Sequence, residues 1–550
     1  MTAKARTAAI RQPGTYARAV VDSRDLWRWR EAADVSFTSR LVLVVLCSAG
    51  FVAILNLADW WFRGEHVANG PLFVLLSLAF WYSVSRVALG WVAVLGAAKP
   101  EHRPAPSGRS VAIFTTSSPG EPPSMFEKTL AACARVRYPH TTYLLDDTGD
   151  PAFRSIAERH GTVWLELKRL PGAKAGKINR ALQLTDEEFV LVLDPDHVPF
   201  PEFLDRVLGH FADDRVGFVQ VAQAYYNQHR SFVARAAAEQ TYAFYGPTMM
   251  GMFGRGCCVA VGANCTFRRT ALESIGGHGV GLAEDLVTAI RLHAAGWRSV
   301  YLPEVVSRGL VPEDLGSLYW QQLKWARGVY EVLFSEIPRL VRRLTRWQRL
   351  SYLGIGTYYL FGVTMPIYLL IPYLYLWSGT QPAAMRFDEL LARGGPVAAI
   401  GVLVYLFAQR WLCHPSIERG LHWRGLLLKV ACWPVFLAGT LLSVVRAEIP
   451  YIPTAKEAVG GRFLRLAWPH LIVLGVYFVT VGSLVFTRLL RTSEGALVLS
   501  SEAVWGMVGF ASVAACATLG GVHLARQVRR GPSKPAWHDV EPERIGGAGA

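Results

Sequence analysis

The sequence predicts an α/β domain set between two blocks of membrane-spanning helices, and two observations indicate this class. Of the 550 residues, 52% are hydrophobic and only 18% are charged, which is too apolar for a soluble enzyme with a polar surface. The apolar residues concentrate on either side of 99–350, a stretch of ordinary composition in which strand-like runs alternate with helical patterns. The same composition excludes a disordered or fibrous chain.

Several apolar runs approach the length of about 20 residues that a helix needs to cross the hydrocarbon layer. They lie at 41–58, 71–98, 351–378, 395–412, 427–447, 467–487 and 503–525. The first 40 residues are basic and contain no apolar core, so we expect no cleavable signal peptide.

Basic residues cluster at both ends of the chain, and the positive-inside rule therefore places both termini and the α/β domain in the cytoplasm. Ends on the same side require an even number of spans. The run 427–447 is interrupted by Lys429 and Pro434 and is flanked by basic loops, so we interpret it as an interfacial or re-entrant helix. Six spans remain; the alternative is a seventh span with an external C-terminus.

The net charge of +15 indicates contact with an anionic membrane surface. Nucleic acid is disfavoured as a partner, because the arginines follow the edges of the apolar runs. Residues 339–349 carry arginines on one helical face and apolar side chains on the other, which predicts an amphipathic helix in the headgroup plane. The eight cysteines lack metal-ligand spacing and are predicted to be free thiols.

Carboxylates follow two of the strands predicted within the α/β domain. These strands lie at 111–116, 142–145 and 189–193. Asp146 and Asp147 follow the second strand, and Asp194 and Asp196 follow the third. Ligands of open α/β sheets bind at the carboxyl ends of strands, and an Asp-x-Asp pair suits Mg²⁺ or Mn²⁺ held together with substrate phosphates. The alternative is that these aspartates only form turns.

Other polar residues of the domain suit a phosphorylated sugar. Lys174 lies between glycines and suits a diphosphate, although the P-loop spacing is absent; the alternative is a flexible surface loop. Glu284 and Asp285 open a helical stretch after a glycine-rich segment. Asp285 is a candidate general base, and the alternative is a helix cap.

A polar and aromatic cluster precedes the second membrane block. Gln321 and Trp325 suit a sugar, while Lys324 and Arg327 suit a diphosphate. The alternative is an interfacial helix with a tryptophan anchor.

In this order the motifs resemble those of the processive membrane glycosyltransferases of family 2, the cellulose synthase and hyaluronan synthase group. That family is marked by Asp-Asp, D-x-D, T-E-D and Q-x-x-R-W. The matching stretches are Asp146-Asp147, Asp194-Pro195-Asp196, Ala283-Glu284-Asp285 and Gln321-Gln322-Leu323-Lys324-Trp325. Further stretches look most similar to bacterial cellulose synthase catalytic subunits, among them 451–456, which resembles the F-x-V-T-x-K gating loop. The similarity extends from about residue 40 to 525.

The resemblance implies a GT-A type glycosyltransferase domain inserted in a bundle of about six transmembrane helices with interfacial helices. The implied division is a cytoplasmic N-terminus (1–40), two transmembrane helices (41–98), the glycosyltransferase domain (99–315), amphipathic interfacial helices (316–349), a channel block (350–525) with a gating loop (448–462), and a cytoplasmic tail (526–550).

The resemblance also implies a role for each matching residue. The residues that would bind the nucleotide sugar are Asp146, Asp147, Lys174, Asp194, Lys324, Arg327, Thr454 and Lys456. The metal ion, Mg²⁺ or Mn²⁺, would be held by Asp194 and Asp196. The catalytic residues would be Glu284 and Asp285, and the acceptor sugar would be held by Gln321 and Trp325.

The implied function is processive, inverting synthesis of a β-glucan from UDP-glucose at the cytoplasmic face of the plasma membrane, with export through the protein's own channel. The expected partners are a UDP-sugar, the growing polysaccharide, the lipid bilayer and, as an open possibility, an accessory export subunit. The alternatives are another product (curdlan, mixed-linkage glucan, poly-N-acetylglucosamine, a hyaluronan-like polymer or mannan) or a transporter with a cytoplasmic regulatory domain. Few charges within the spans, chiefly Arg86 and Lys429, disfavour a transporter.

The chain departs from the family pattern at several positions. Ala283 replaces the threonine of T-E-D, and Lys324 replaces the arginine of Q-x-x-R-W, although lysine cannot make a bidentate phosphate contact. Lys177 replaces an asparagine, and Tyr451 and Pro453 replace the gating phenylalanine and valine. We expect no C-terminal cyclic-di-GMP-binding domain, because about 25 residues follow the last span.

Overall fold

A mixed sheet forms the centre of the α/β domain in the computed structural model, which describes residues 26–168, 170–450, 452–455, 464–490, 501–526 and 534–545. The strands are β1 (Arg30–Glu31), β2 (Val111–Thr116), β3 (Thr141–Asp146), β4 (Val163–Glu166), β5 (Phe189–Leu193), β6 (Val198–Pro199), β7 (Val216–Val221), β8 (Cys265–Arg268), β9 (Arg298–Leu302), β10 (Glu304–Val305) and β11 (Ser307–Arg308).

Seven of these strands form one sheet in the order β4-β3-β2-β5-β8-β7-β9. Only β8 runs antiparallel to its neighbours, and the other four pairs are parallel. Every side chain of β2, β5 and β7 is buried, as expected for strands covered on both faces. The three strands predicted from apolar runs are confirmed as β2, β3 and β5.

Helices cover this sheet and form the membrane block. They are α1 (Phe37–Trp61), α2 (Gly70–Leu95), α3 (Pro123–Cys133), α4 (Pro151–Arg159), α5 (Ala173–Leu182), α6 (Phe203–Val207), α7 (Phe232–Ala243), α8 (Met249–Gly254), α9 (Arg269–Ser274), α10 (Glu284–Ala294), α11 (Leu315–Glu331), α12 (Ile337–Leu340), α13 (Arg346–Gly356), α14 (Phe361–Ser378), α15 (Phe387–Ala408), α16 (Pro415–Glu418), α17 (Trp423–Ala431), α18 (Trp433–Val444), α19 (Trp468–Leu490) and α20 (Ser501–Arg526).

Six helical stretches of the described chain are long and apolar enough to cross a membrane. They are Phe37–Trp61, Gly70–Leu95, Arg346–Ser378, Phe387–Trp411, Leu464–Val485 and Val504–Ala525. Large apolar side chains such as Phe37 and Leu55 point outward from them, which suits contact with lipid. The prediction of six apolar helices of spanning length is confirmed.

The seventh apolar run forms a bent helix pair. Its two arms, α17 and α18, meet at an angle of 44°. α17 packs on α7, and α18 packs on α11. The hydroxyl of Tyr319 in α11 donates to the backbone oxygen of Ala431 at the bend, over 2.9 Å. Contacts of both arms with helices that adjoin the α/β domain support a re-entrant position, which remains a prediction.

Both ends of the described chain contact the α/β domain. Near the N-terminus, β1 pairs antiparallel with β10, with Arg30 opposite Val305. Near the C-terminus, Trp537 is 1% exposed and packs in an apolar cluster with Phe126 and Phe153. Two ends that reach the same domain imply an even number of crossings, which agrees with six spans.

The prediction of one amphipathic helix over 339–349 is wrong. Helix α12 ends at Leu340, and after a short 3₁₀ turn Leu344 is extended with ψ of 146°. A capping box between Thr345 and Gln348 then begins α13. This capping box satisfies the first backbone donors of a new helix. The apolar periodicity of the sequence continues through the same point, so it does not reveal that one helix ends and another begins.

All eight cysteines are free thiols, as predicted. Seven are buried, and Cys516 is exposed on α20. Burial raises the pKa of the Cys133 thiol to about 12, so this group stays protonated and unreactive at neutral pH.

Candidate functional site

The carboxyl ends of three adjacent strands build the candidate site. Strands β3, β2 and β5 are neighbours and run parallel, so the segments that follow them meet at one edge of the sheet. A cavity of about 630 Å³ opens there, and Lys174, Asp194, Asp196 and Asp285 all line it. The structure thus brings together residues that lie more than a hundred positions apart in the chain.

A candidate metal centre lies at the end of β5. Asp194, Asp196 and His197 each offer a ligand atom, and these atoms lie within 4.8 Å of one another. Asp196 is buried, and its Oδ2 accepts a hydrogen bond from the Leu310 amide over 2.9 Å. Among the described residues, neither ring nitrogen of the buried His197 has a hydrogen-bond partner. Nδ1 of His197 lies 3.6 Å from Asp196 Oδ1, and a buried imidazole without a hydrogen bond beside two carboxylates fits a divalent metal ion.

His197 is a site residue that the sequence reasoning missed. The available signal was its position directly after Asp196. Because a lone histidine next to a strand is common in protein cores, only the convergence of its ring with the two carboxylates assigns it to the site.

Lys174 lies in a helix, so the alternative of a flexible surface loop is wrong. Its ammonium group donates to Asp194 Oδ1 over 2.5 Å and to the backbone oxygen of Gly262 over 2.6 Å. It also lies 4.0 Å from Glu284 Oε1. Burial opposes the charge, but the two nearby carboxylates outweigh it and raise the pKa of Lys174. Lys174 therefore links the metal-binding loop to the carboxylates of α10.

Glu284 and Asp285 occupy the first turn of α10. The N-cap position belongs to Ala283, so Asp285 is not the N-cap residue, although its Oδ1 accepts from the first-turn amide of Leu286 over 2.7 Å. Asp285 lines the cavity and is only partly buried. Burial, and then the charge of Glu284, raise the pKa of Asp285 to about 7. Burial likewise raises the pKa of Glu284, while Lys174 opposes this shift. Asp285 therefore accepts or gives up a proton close to neutral pH.

The Asp146-Asp147 pair divides into two different roles. Asp146 is fully buried, and its carboxylate accepts hydrogen bonds from the Ser117 hydroxyl, the Thr148 amide and hydroxyl, and the Trp164 indole. Neither aspartate is among the described residues that line the cavity. Asp146 therefore orders the loop and is not accessible to a nucleotide. Asp147 is partly exposed, and its predicted role in nucleotide binding stays a proposal.

Lys177 is a buried cation beneath the Asp146–Asp147 loop. Its ammonium group donates to the Ser117 backbone oxygen and to the Ser118 hydroxyl, and it lies 3.8 Å from Asp147. Burial lowers the pKa of Lys177, against the attraction of Asp147. This residue, a departure from the family pattern, ties α5 to the loops that follow β2 and β3.

Lys324 contacts the predicted gating loop, and Arg327 contacts the residue that precedes it. Lys324 lines the cavity and donates to the Ile452 backbone oxygen over 3.4 Å. Arg327 donates to the Ala447 backbone oxygen over 3.1 Å and pairs with Glu331. Within the described chain Arg327 is not part of the cavity lining, so its predicted contact with the nucleotide sugar finds no support.

The remaining predicted ligands of the sugar lie at the cavity or outside the described residues. Gln321, Trp325 and Thr454 line the cavity, and Trp325 is 38% exposed. Lys456 and Tyr451 lie outside the residues that the structure describes. The cavity lining thus includes a partly exposed indole ring.

The same cavity reaches the membrane block. The cavity is lined there by Arg86 of α2, by Ser351 of α13 and by the adjoining pair Tyr358 and Tyr359. One continuous space therefore connects the carboxylates at the sheet edge with two of the candidate membrane spans, Gly70–Leu95 and Arg346–Ser378.

The glycosyl transferase family group 2 model matches residues 189–480, more than half of the chain. The chain belongs to this family. The match includes the Asp194–Asp196 loop, Asp285 and Trp325. For this family 2 glycosyltransferase, the mostly parallel sheet with carboxylates at its edge confirms the predicted GT-A-like α/β fold.

Curated relatives of this glycosyltransferase are cellulose synthase subunits. The "Cellulose synthase catalytic subunit [UDP-forming]" of Komagataeibacter sucrofermentans is 32% identical over 245 residues, which are 43% of this chain and 32% of that protein. The protein of the same name from Pseudomonas fluorescens is 24% identical over 527 residues, which cover 90% of this chain and 68% of that protein. The chain thus spans about a third of the length of the first relative.

A solved structure with a similar fold is the mannosyltransferase PcManGT from Pyrobaculum calidifontis, in complex with GDP-Man and Mn²⁺. It superposes with a TM-score of 0.47 at 18% identity, over 68% of this chain and 100% of that chain. This similarity is too low to indicate a donor or a product.

Proposed function

We propose that this protein is a processive, inverting glycosyltransferase that makes a β-glucan from UDP-glucose and moves it through its own membrane helices. One observation carries the proposal: the cavity with the candidate catalytic carboxylates continues to side chains of two candidate membrane spans. A polar polymer cannot cross lipid unaided, so a path from the site of synthesis into the membrane block has a direct use. The names of the curated relatives support a glucose polymer and a UDP donor.

In the proposed donor site, the diphosphate of UDP-glucose lies at the end of β5. Asp194, Asp196 and His197 would hold Mg²⁺ or Mn²⁺, which when bound offsets the negative charge that builds on the leaving diphosphate. Lys174 keeps Asp194 in place through a 2.5 Å hydrogen bond and adds a fixed positive charge at the same point. Thr454 and the predicted gating loop, including Lys456, would close over the nucleotide.

In the proposed chemical step, Asp285 accepts the proton of the acceptor hydroxyl while that oxygen bonds to the anomeric carbon of the donor. The bond from that carbon to the diphosphate oxygen breaks, and the electron pair leaves with UDP. Attack opposite the leaving group inverts the anomeric carbon, so an α-linked donor yields a β-linkage. A pKa near 7 keeps a useful fraction of Asp285 ionised at neutral pH.

On the acceptor side, Trp325 and Gln321 would hold the terminal sugar of the polymer. An exposed indole ring offers an apolar face to the C–H groups of a sugar, and the glutamine amide offers hydrogen bonds. Tyr358 and Tyr359 continue the aromatic lining toward the membrane block. Farther along the same helical stretch, the Tyr368 hydroxyl shares a hydrogen bond of 3.0 Å with the Ser83 hydroxyl.

Both ends of the described chain contact the α/β domain, and the basic residues near both termini support a cytoplasmic location for it, where nucleotide sugars are available. We therefore propose a multi-pass protein of the plasma membrane with its active site in the cytoplasm.

The test is synthesis by inverted membrane vesicles that contain this protein, supplied with radiolabelled UDP-glucose, UDP-N-acetylglucosamine, UDP-glucuronate or GDP-mannose in separate reactions. We expect incorporation from UDP-glucose into a polymer that a β-glucanase degrades, and accumulation of that polymer inside the vesicles. Vesicles with Asp285→Asn serve as the control. Incorporation from another donor alone would contradict the glucan assignment, and polymer released only outside the vesicles would contradict export through the protein.

A further inference from the structure

The segment 534–545, here called the C-terminal strap, lies across the outside of the α/β domain. Trp537 is its anchor: the ring is 1% exposed, and its Nε1 donates to the Ser124 hydroxyl over 3.0 Å. Val540 and Ile545 are also buried. The strap thus buries three apolar side chains, and loss of its contact with the rest of the protein would expose them to water.

Helix α3 connects the strap to the candidate metal loop. Trp537 packs in one cluster with Met125, Phe126 and Leu130 of that helix. From the same helix, the Thr129 hydroxyl donates to the backbone oxygen of Pro195 over 2.6 Å. Pro195 is the middle residue of the Asp194–Asp196 loop, so α3 holds the backbone between the two carboxylates.

A second connection runs through the segment that follows β11. Leu310 packs against the Trp537 cluster, and its amide donates to Asp196 Oδ2 over 2.9 Å. The next residue, Val311, is held by Asn227, which accepts from its amide over 2.9 Å. Leu310 therefore joins the cluster that contains Trp537 to the second carboxylate.

An ion pair closes the far side of the strap. Asp539 pairs with Arg230 over 2.7 Å, and Arg230 also pairs with Glu313 over 3.0 Å. Glu313 in turn accepts from the Asn227 amide over 3.2 Å. The strap thus contacts α3 directly and reaches the 310–313 segment through Arg230.

We propose that the C-terminal strap, through Trp537 and Asp539, positions the Asp194–Asp196 loop for the divalent metal ion. This inference rests on the proposed function, because it assigns a role to the strap in that same site. Trp537 and Asp539 are positioning residues: neither is among the described residues that line the cavity. Since the strap follows α20, it also makes the geometry of the metal loop depend on the last membrane helix.

The test is Mn²⁺ binding by the full-length protein in detergent with UDP present. Binding is measured by electron paramagnetic resonance. Trp537→Ala should weaken Mn²⁺ binding by about tenfold, within the range seen when groups that orient metal ligands are removed. Asp539→Asn should weaken it by a smaller factor. Synthesis by both variants should recover at saturating Mn²⁺. Glu543→Ala is the matched control, because this strap residue contacts the domain through its backbone oxygen, which the substitution leaves in place.

The outcomes separate this inference from the proposed function. Equal Mn²⁺ binding by the unaltered protein, Trp537→Ala and Asp539→Asn would overturn the strap inference and leave the metal site standing. If Trp537→Ala does not fold, Asp539→Asn decides by the same measurement. Absence of Mn²⁺ binding in the unaltered protein would overturn the proposed metal site and the strap inference together.

Discussion

The carboxylates of this protein differ in their chemical behaviour because their surroundings differ. Asp146 is buried, and four hydrogen bonds from protein donors hold its side chain in place as a structural group. Asp285 is partly buried next to Glu284 with one amide donor, and its pKa rises to about 7. The same side chain thus orders a loop in one place and suits proton transfer in another.

At the residue scale, Asp285→Asn tests the catalytic base. Asparagine keeps the size and shape of the side chain but cannot take the proton, so turnover should fall by about 10²–10⁴-fold. Mn²⁺ and UDP binding should persist, because the metal loop and Lys174 are unchanged. The measurement is polymer synthesis at equal protein level in the membrane. Asp150→Asn is the control, since Asp150 caps an exposed helix and asparagine caps equally well. Near-normal synthesis by Asp285→Asn would remove Asp285 from the mechanism.

The pH dependence of synthesis follows from the same residue. Burial raises the pKa of Asp285 to about 7, so protonation of its carboxylate increases as the pH falls through that value. Only the ionised form accepts a proton, and the rate should therefore fall about tenfold per pH unit on the acid side. Initial rates between about pH 5.5 and 8.5 measure this limb. The residual activity of Asp285→Asn should lack it; an identical acid limb in that variant would assign the titration to another group.

At the scale of elements, a two-residue ladder builds the metal site. Strand β6 follows the Asp194–Asp196 loop and pairs antiparallel with β11, with Val198 opposite Arg308. This pairing brings Gly309 against the ring of His197 and the Leu310 amide against Asp196. The short ladder therefore supplies one support of the metal site and the space that the imidazole occupies.

Gly309→Ala tests this arrangement. A Cβ at this position would lie 2.4 Å from Cε1 of His197, so the buried ring must move away from the two carboxylates. We expect Mn²⁺ binding in the presence of UDP to weaken by about tenfold or more. The control is Gly394→Ala, because a Cβ there meets no atom within 4 Å. Unchanged Mn²⁺ binding by Gly309→Ala would exclude His197 from the metal site.

At the scale of the whole molecule, the chain crosses the membrane and returns to the domain from which it left. The N-terminal strand and the C-terminal strap both pack on the α/β domain, and six helices of spanning length lie between them. The bent pair α17–α18 packs on α7 and α11. These contacts fit a bundle in which the bent pair stays on the side of the active site.

Cysteine labelling tests this topology. Single cysteines at Ala68 and Glu448, both exposed, are introduced into a chain with Cys516→Ser, and a membrane-impermeant maleimide is added to right-side-out vesicles. Ala68→Cys lies between the first two spans and should be labelled. Glu448→Cys follows the bent pair and should be labelled only after the vesicles are opened. Labelling of Glu448→Cys in closed vesicles would instead make the bent pair a seventh span.

Much of the fold and part of the site could be predicted from the sequence. The six apolar helices, strands β2, β3 and β5, and the carboxylates after β3 and β5 follow from local patterns. Apolar length and strand-end position need no knowledge of distant residues. The break at Leu344 was missed because a capping box is a weaker local signal than a continuing apolar face.

The sequence by itself determined that this is a membrane protein with an α/β domain and an acidic sheet edge, since each of these is written in consecutive residues. Only the tertiary structure decided which polar groups share the cavity. It buries Asp146, turns Arg327 toward Ala447, and adds His197 to the metal loop. It also brings Trp537 onto α3. Hydrogen-bond partners and burial depend on residues far away in the chain, so no local pattern could assign them.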